Sequence, residues 1–253
     1  MNYFVNDYVL VQPNIGEKNI NNDNFANACV LGQLNIAQKF IKNDMNINYL
    51  NEVFRFTCEN GHLHVAQWLL YVKSDINIFD EEDYAFRYAC QNGHLNVAQW
   101  LFSLNPNINI SAQHEYAFRY ACFKGHLEVA QWLLSINPDI NISTWDDFAF
   151  YKACEKGHLN VTQWLLSVKP DINISTENEH AFRFACQYGH LNVAQWLLSV
   201  KPDINISAEN EHAFCWACEN ERLDMVQWLK TLNPKKYYVI IENNKLINWD
   251  VIM

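Results

Sequence analysis

The sequence has little positive charge to spare and no long apolar stretch. Lys and Arg total 18 against 28 Asp and Glu, a formal net charge of −10. With no basic stripe either, this argues against a nucleic-acid backbone or an anionic membrane as the main partner. The longest unbroken apolar run is Ala213–Cys218, with Tyr237–Ile241 among the next, far short of a membrane span. Residues 1–13 lack a basic region and carry Asp7 inside their apolar pattern, unlike a signal peptide. Catalytic signatures are missing too: there is no Gly-rich phosphate loop, no Ser nucleophile elbow and no His-Glu-x-x-His. The expectation is a soluble intracellular protein, not an enzyme, with no cofactor and no bound metal.

What the chain has is repetition. Cys58, Cys90, Cys122, Cys154, Cys186 and Cys218 lie 32 residues apart, and so do Trp68, Trp100, Trp132, Trp164, Trp196 and Trp228. A period of this size, held without slippage, is the mark of a solenoid whose units bury their apolar faces on their neighbours. Residues 176–207 show one unit clearly. Ala181, Phe182, Ala185 and Cys186 share one face of a short helix. Gly189 supplies a left-handed residue to end it. Leu191, Ala194, Leu197 and Leu198 form the apolar stripe of a second helix, with Asn192, Gln195 and Ser199 on its polar side. Pro202 stops that helix, and Asp203-Ile204-Asn205 leads into a turn with Ile204 buried.

Seven such units cover residues 22–234, with a period of 32 from the second on. The first unit is irregular and its step to the second is only 29 residues. The seventh has Glu221-Arg222 in place of Gly-His. Residues 1–21 read as half a unit forming an N-terminal cap, and residues 235–253 as a C-terminal half-repeat cap in which Asn244–Ile252 is a last helix. Solenoid ends are atypical because their outer faces meet water. The fold class is therefore all-α, a helix-turn-helix solenoid with short loops.

The wording of the unit resembles an ankyrin repeat: Gly189-His190-Leu191, Trp196-Leu197-Leu198 and Asp203-Ile204-Asn205 match that family's pattern, seven times in register. Two departures stand out. The helix-starting Thr-Pro-Leu-His has become His180-Ala181-Phe182-Arg183, and the repeat is one residue short of the usual 33, in the segment that makes the β-hairpin finger. Tight turns are expected there more than hairpins. The Ala-Phe-Arg, Ala-Gln-Trp-Leu and Pro-Asp-Ile-Asn-Ile-Ser wording further resembles ankyrin arrays of giant viruses that infect amoebae.

Several sets of residues invite a chemical reading. Cys186 and His190 form a pair that recurs in four more repeats, but each repeat offers two ligands where zinc needs four. Buried thiols and turn histidines are expected instead. Six cysteines at one repeat position, about 10 Å apart, are too distant for disulfides. The Cys215-Trp216-Ala217-Cys218 motif sits inside a helix, with Cys215 in an Arg position, and is read as chance. The Trp ladder reads as packing between repeats.

An acidic ladder, Asp83, Glu115, Asp147, Glu179 and Glu211, places one acid per repeat ahead of the first helix. It admits two compatible readings. One is local: acids at a helix N-terminus, four residues before Arg87, Arg119 and Arg183. The other is a charged ridge that selects a partner. Variation between repeats points elsewhere, to the two residues before each glycine, which the ankyrin resemblance assigns to the concave ligand surface. There Phe123, Lys124 and Tyr188 stand out, as does Trp145 near the loops, since rigid aromatics are typical interface anchors.

The expected function is protein binding by a monomer on its concave face, through Asp83, Glu115, Phe123, Lys124, Trp145, Asp147, Glu179, Tyr188 and Glu211. The resemblance to viral arrays implies a viral protein acting on a host partner in the host cytoplasm. It also implies two alternatives: an adaptor for a host ubiquitin ligase, though Lys235–Met253 is short for a recruiting domain, or a substrate of a host asparaginyl hydroxylase at Asn173 and Asn205.

Overall fold

The structure, a computed structural model, describes residues 24–252; the expected N-terminal cap over residues 1–21 lies outside them. Two compact units divide the chain between Asn109 and Ile110. The first contains α1 (Asn24–Val30), α2 (Leu34–Phe40), α3 (Ile47–Glu59), α4 (Leu63–Val72), α5 (Asp80–Gln91) and α6 (Leu95–Leu104). The second contains α7 (Ala112–Phe123), α8 (Leu127–Ile136), α9 (Thr144–Glu155), α10 (Leu159–Val168), α11 (Thr176–Tyr188), α12 (Leu191–Val200), α13 (Ala208–Glu219), α14 (Leu223–Leu232), β1 (Tyr237–Glu242) and β2 (Lys245–Val251). In each unit odd-numbered helices pack on odd-numbered ones, and each even-numbered helix packs on the one before it.

The core is the repeated face foreseen in the sequence. Ala181, Phe182, Ala185 and Cys186 of α11 are buried, and from α12 Val193, Ala194 and Leu197 join them. The ladder tryptophans are half-buried, and within each unit the indoles of Trp68, Trp100, Trp164, Trp196 and Trp228 meet a phenylalanine of an earlier first helix. Trp100 lies 6.2 Å from Phe54 in the first unit; in the second, Trp164, Trp196 and Trp228 lie 6.2 Å, 6.4 Å and 6.3 Å from Phe118, Phe150 and Phe182. Burying each such Phe stabilises the stack by about 2–3 kcal/mol.

Among the described residues the loops between helix pairs contain no strand. An Asx turn stands where a finger would start: Ser175 N donates to Asn173 Oδ1 (3.2 Å) and Ser207 N to Asn205 Oδ1 (3.1 Å). Then comes a feature the sequence did not announce. Helices α5, α7, α9, α11 and α13 each open with three consecutive left-handed residues, as in Glu177, Asn178 and Glu179 at φ 51°, 56° and 65°. Left-handed geometry costs a non-glycine residue about 1–2 kcal/mol, so the turn needs support. In α11 it comes from Arg183, whose Nε donates to Asn178 O (2.7 Å) and whose NH2 donates to Glu177 O (3.0 Å). Arg119 does the same for His114 O and Gln113 O, and Arg87 for Glu82 O and Glu81 O.

The C-terminal segment differs from expectation. Asn244–Ile252 is not a helix: residues 245–251 form β2, paired antiparallel with β1. The reason is local and was readable. Asn243 and Asn244 sit at φ 50° and 58°, the two-residue turn with both central residues left-handed that Asn favours and that matches strand twist. The flanking Tyr-Tyr-Val-Ile-Ile-Glu and Lys-Leu-Ile-Asn-Trp-Asp-Val are rich in β-branched and aromatic residues. The hairpin still closes the end of the stack, packing on α14 and α13.

Candidate interaction surface

The acidic ladder is engaged within the fold. Glu115, Asp147, Glu179 and Glu211 are only 7–8% exposed. Each accepts a hydrogen bond from the residue 26 positions on, which for Glu115, Asp147 and Glu179 lies in the loop that opens the next repeat and for Glu211 is Tyr237 of β1. Asn141 N donates to Glu115 Oε1 (3.4 Å), Asn173 N to Asp147 Oδ2 (3.2 Å) and Asn205 N to Glu179 Oε1 (3.2 Å). Ser175 Oγ adds a bond to Glu179 Oε2 at 2.7 Å. In the first unit Asn51 holds this register and accepts from Asn77 N at 2.9 Å. Asp83, half-buried, faces the N–H of Asn109; burial raises its carboxyl above the usual range despite that N–H and Arg87. The ladder therefore ties repeat to repeat, and its arginines hold the left-handed turns rather than the acids.

The turn residues have an equally structural place. The thiols of Cys58, Cys90, Cys122, Cys154 and Cys186 are fully buried, which pushes their pKa values up and keeps them as thiols. His62, His94, His158 and His190 each lie across the glycine of the preceding repeat. A Cβ on Gly157 would sit 2.4 Å from His190 Nδ1, and Gly157 has φ +78°, so both the backbone and the neighbour demand glycine. Burial lowers the pKa of His94, His158 and His190 although each meets a backbone carbonyl. Among the described residues no group of three or more His, Cys, Asp or Glu is arranged to hold a metal.

The C-terminal ends of the first helices differ between the units. In the first, Tyr84 Oη donates to Glu59 Oε2 (2.8 Å) and Tyr84 stacks on Tyr88 at 4.0 Å. In the second, Lys156 Nζ lies 5.2 Å from the ring of Phe123 and 5.6 Å from that of Tyr188. Three successive repeats thus converge on one ammonium. Lys124, the sequence neighbour of Phe123, is exposed and Tyr188 is 37% exposed. Beneath lies Glu155, 5% exposed, with Lys152 Nζ at 2.6 Å, Lys156 Nζ at 3.5 Å and His180 Nε2 at 3.7 Å. Burial alone raises the Glu155 carboxyl; His180, Lys152 and Lys156 outweigh it and hold its pKa down to about 2.

Trp145 stands apart from this cluster, half exposed on the left-handed turn of α9, with the Arg119 guanidinium 3.7 Å from its ring. The variation before each glycine singles out Phe123, Lys124 and Tyr188, with Trp145 near the loops; it covers Glu155 and Lys156 before Gly157 without setting them apart, and it misses Lys152. It also missed the aromatic pairs Tyr116–Tyr120 (4.3 Å), His180–Phe184 (4.1 Å) and His212–Trp216 (3.7 Å) along the same helices. The signal was present, at six and two residues before each ladder cysteine, but it lies in what varies between repeats.

The family model described as Ankyrin repeats (3 copies) matches residues 25–114, 54–144, 118–210 and 150–239. The chain belongs to the ankyrin-repeat family. Ankyrin repeats mediate protein–protein interaction and are typically scaffolds rather than enzymes. Among solved structures, the human ASB11 ankyrin repeat domain is similar at a TM-score of 0.51 and 16% identity, covering 75% of this chain and 95% of that one; at that identity the likeness concerns fold alone. No curated protein matches the chain. No helix among the described residues of this ankyrin protein is long and apolar enough to cross a membrane.

Proposed function

We propose that this ankyrin protein is a protein-binding module whose contact surface is the Phe123–Lys156–Tyr188 cluster with Lys124, at the C-terminal ends of α7, α9 and α11. The observation that carries this reading is the cluster itself. Aromatic rings and a cation from three repeats are partly exposed where the repeat pattern requires none of them. Trp145 is a second contact in this reading, set by its exposure on the turn of α9. The carboxylates of the acidic ladder are left out, since most are buried and occupied by the next loop. The partner is a host protein in the cytoplasm, a statement supported by the resemblance of the repeat wording to giant-virus arrays.

Affinity capture from amoebal lysate tests the surface. Wild-type chain retains a partner that Phe123→Ala/Tyr188→Ala loses, with unchanged thermal stability. Equal capture by both would remove this surface from the proposal. Recovery of ubiquitin-ligase subunits would favour an adaptor role. A gain of one oxygen in intact mass, mapped to Asn173 or Asn205, would instead mark a hydroxylase substrate.

A further inference from the structure

We infer that the partner presents a short acidic segment, an Asp or Glu next to an aromatic or aliphatic residue, and that its carboxylate pairs with Lys156. The inference rests on the surface proposed above and adds the chemistry of what it takes.

Two aromatic faces around an empty slot would suit a ligand cation. Here the slot is filled by the chain's own ammonium, Lys156 Nζ, between Phe123 and Tyr188. A second cation would meet like charge, and the site is reversed in sign. Lys156 keeps its side chain 37% exposed while standing on apolar rings, so it faces solvent from a partly dry base. Coulomb attraction for a carboxylate is stronger there than in open water.

The local charge balance agrees. Lys152, Lys156 and His180 face one carboxylate, Glu155, which is buried and shared among them, and Lys124, next to Phe123 in the sequence, adds an exposed positive charge. The nearest exposed acid on α11, Glu177, lies at the opposite end of that helix, 3.4 Å from His180 Nδ1. In a chain of net charge −10, this is a positive spot in a negative field, so an acidic partner gains specificity from docking here and is repelled elsewhere. The ladder acids Glu115, Asp147, Glu179 and Glu211 do not oppose it, since they are buried in the fold.

Size limits the segment. Both rings lie within contact of one ammonium, so their centres are at most about 11 Å apart, roughly three residues of extended chain. One carboxylate and one neighbouring apolar side chain fill that span.

The test is selection of a displayed library of random twelve-residue peptides against the full-length chain. Enriched peptides are expected to be net negative, with Asp or Glu beside Phe, Tyr, Trp or Leu. Their binding should fall at least tenfold on Lys124→Gln/Lys156→Gln and weaken as salt is raised. Lys156→Arg should retain it, and Lys156→Glu should shift the enriched set toward basic peptides. Thermal midpoints confirm that each variant is folded. Enrichment of basic or uncharged peptides that still need Phe123 and Tyr188 would overturn the acidic partner while leaving the surface standing. Peptides indifferent to Phe123→Ala/Tyr188→Ala, or no enrichment at all, would overturn both.

Discussion

Glu179 and Glu211 occupy the same position in adjacent repeats, yet their partners differ. Glu179 accepts the backbone N–H of Asn205, in the loop of the next repeat. Glu211 has no such repeat after it. The residue 26 positions on is Tyr237, at the start of β1, and its hydroxyl reaches Glu211 Oε2 at 2.5 Å while Lys236 pairs with Oε1. Burial tends to raise the Glu211 pKa, but Lys236 and Tyr237 bring the net shift downward. Phe214, whose counterparts receive a tryptophan, is covered by Tyr237 stacked at 4.0 Å and by Trp249 edge-on at 6.1 Å. The junctions thus satisfy one requirement by two routes. A buried carboxylate and a phenylalanine face must be covered, and a hairpin of different secondary structure does it as well as another repeat.

The comparison can be broken most directly at Tyr237. Tyr237→Ala removes the stacked ring and the hydroxyl, and should cost about 3–5 kcal/mol of stability in urea unfolding. A loss below about 0.5 kcal/mol would mean the hairpin does not serve as the missing repeat. Acid comes next. Burial first, and then Arg183, lower the His212 pKa from 6.5 to about 4. The unfolded chain therefore binds more protons between these values, and stability should fall as pH drops through that window, by about 2–3 kcal/mol for this group. His94, His158 and His190 shift the same way. Glu155 acts later: its contribution is present above about pH 4.5 and disappears toward pH 2. Thermal midpoints of wild type and His212→Gln from pH 7 to pH 3 check the order, and a profile flat down to pH 4 contradicts it.

Gly157→Ala should cost about 2 kcal/mol, combining left-handed strain with the clash against His190, and His190→Ala in the same chain should return part of it. Smallest and most informative is the pair Glu179→Gln and Glu211→Gln. The internal substitution keeps an acceptor for Asn205 and should cost about 1 kcal/mol. The terminal one also loses its charge against Lys236 and should cost more, about 2 kcal/mol. Equal losses would show that the two junctions are not alternative solutions to one problem.

How much of this was legible depends on whether a feature is local and repeated. The helix pairs, Gly157 and the buried Cys186 were read from spacing, because a stacked unit must repeat its core side chains. The acidic ladder is visible in the sequence and admits both a local role and an exposed ridge; what decides between them is hidden, because the bonds of Glu115, Asp147 and Glu179 run 26 residues forward to backbone N–H groups, which no side-chain pattern displays. Lys156 falls among the variable positions before the glycines but is not set apart there, since nothing local says that Phe123 and Tyr188 will close on it. The hairpin was a different failure, because Asn243-Asn244 is a local turn signal and expectation of another helix overrode it.

By itself, then, the order of residues determined the helix-turn-helix unit, its number and the glycine turns, all of which depend on short-range periodicity and backbone preference. Only the tertiary structure decided which polar groups are buried, which ring meets which cation, and what covers the last repeat. Those outcomes depend on distances between segments tens of residues apart, set once the helices have packed.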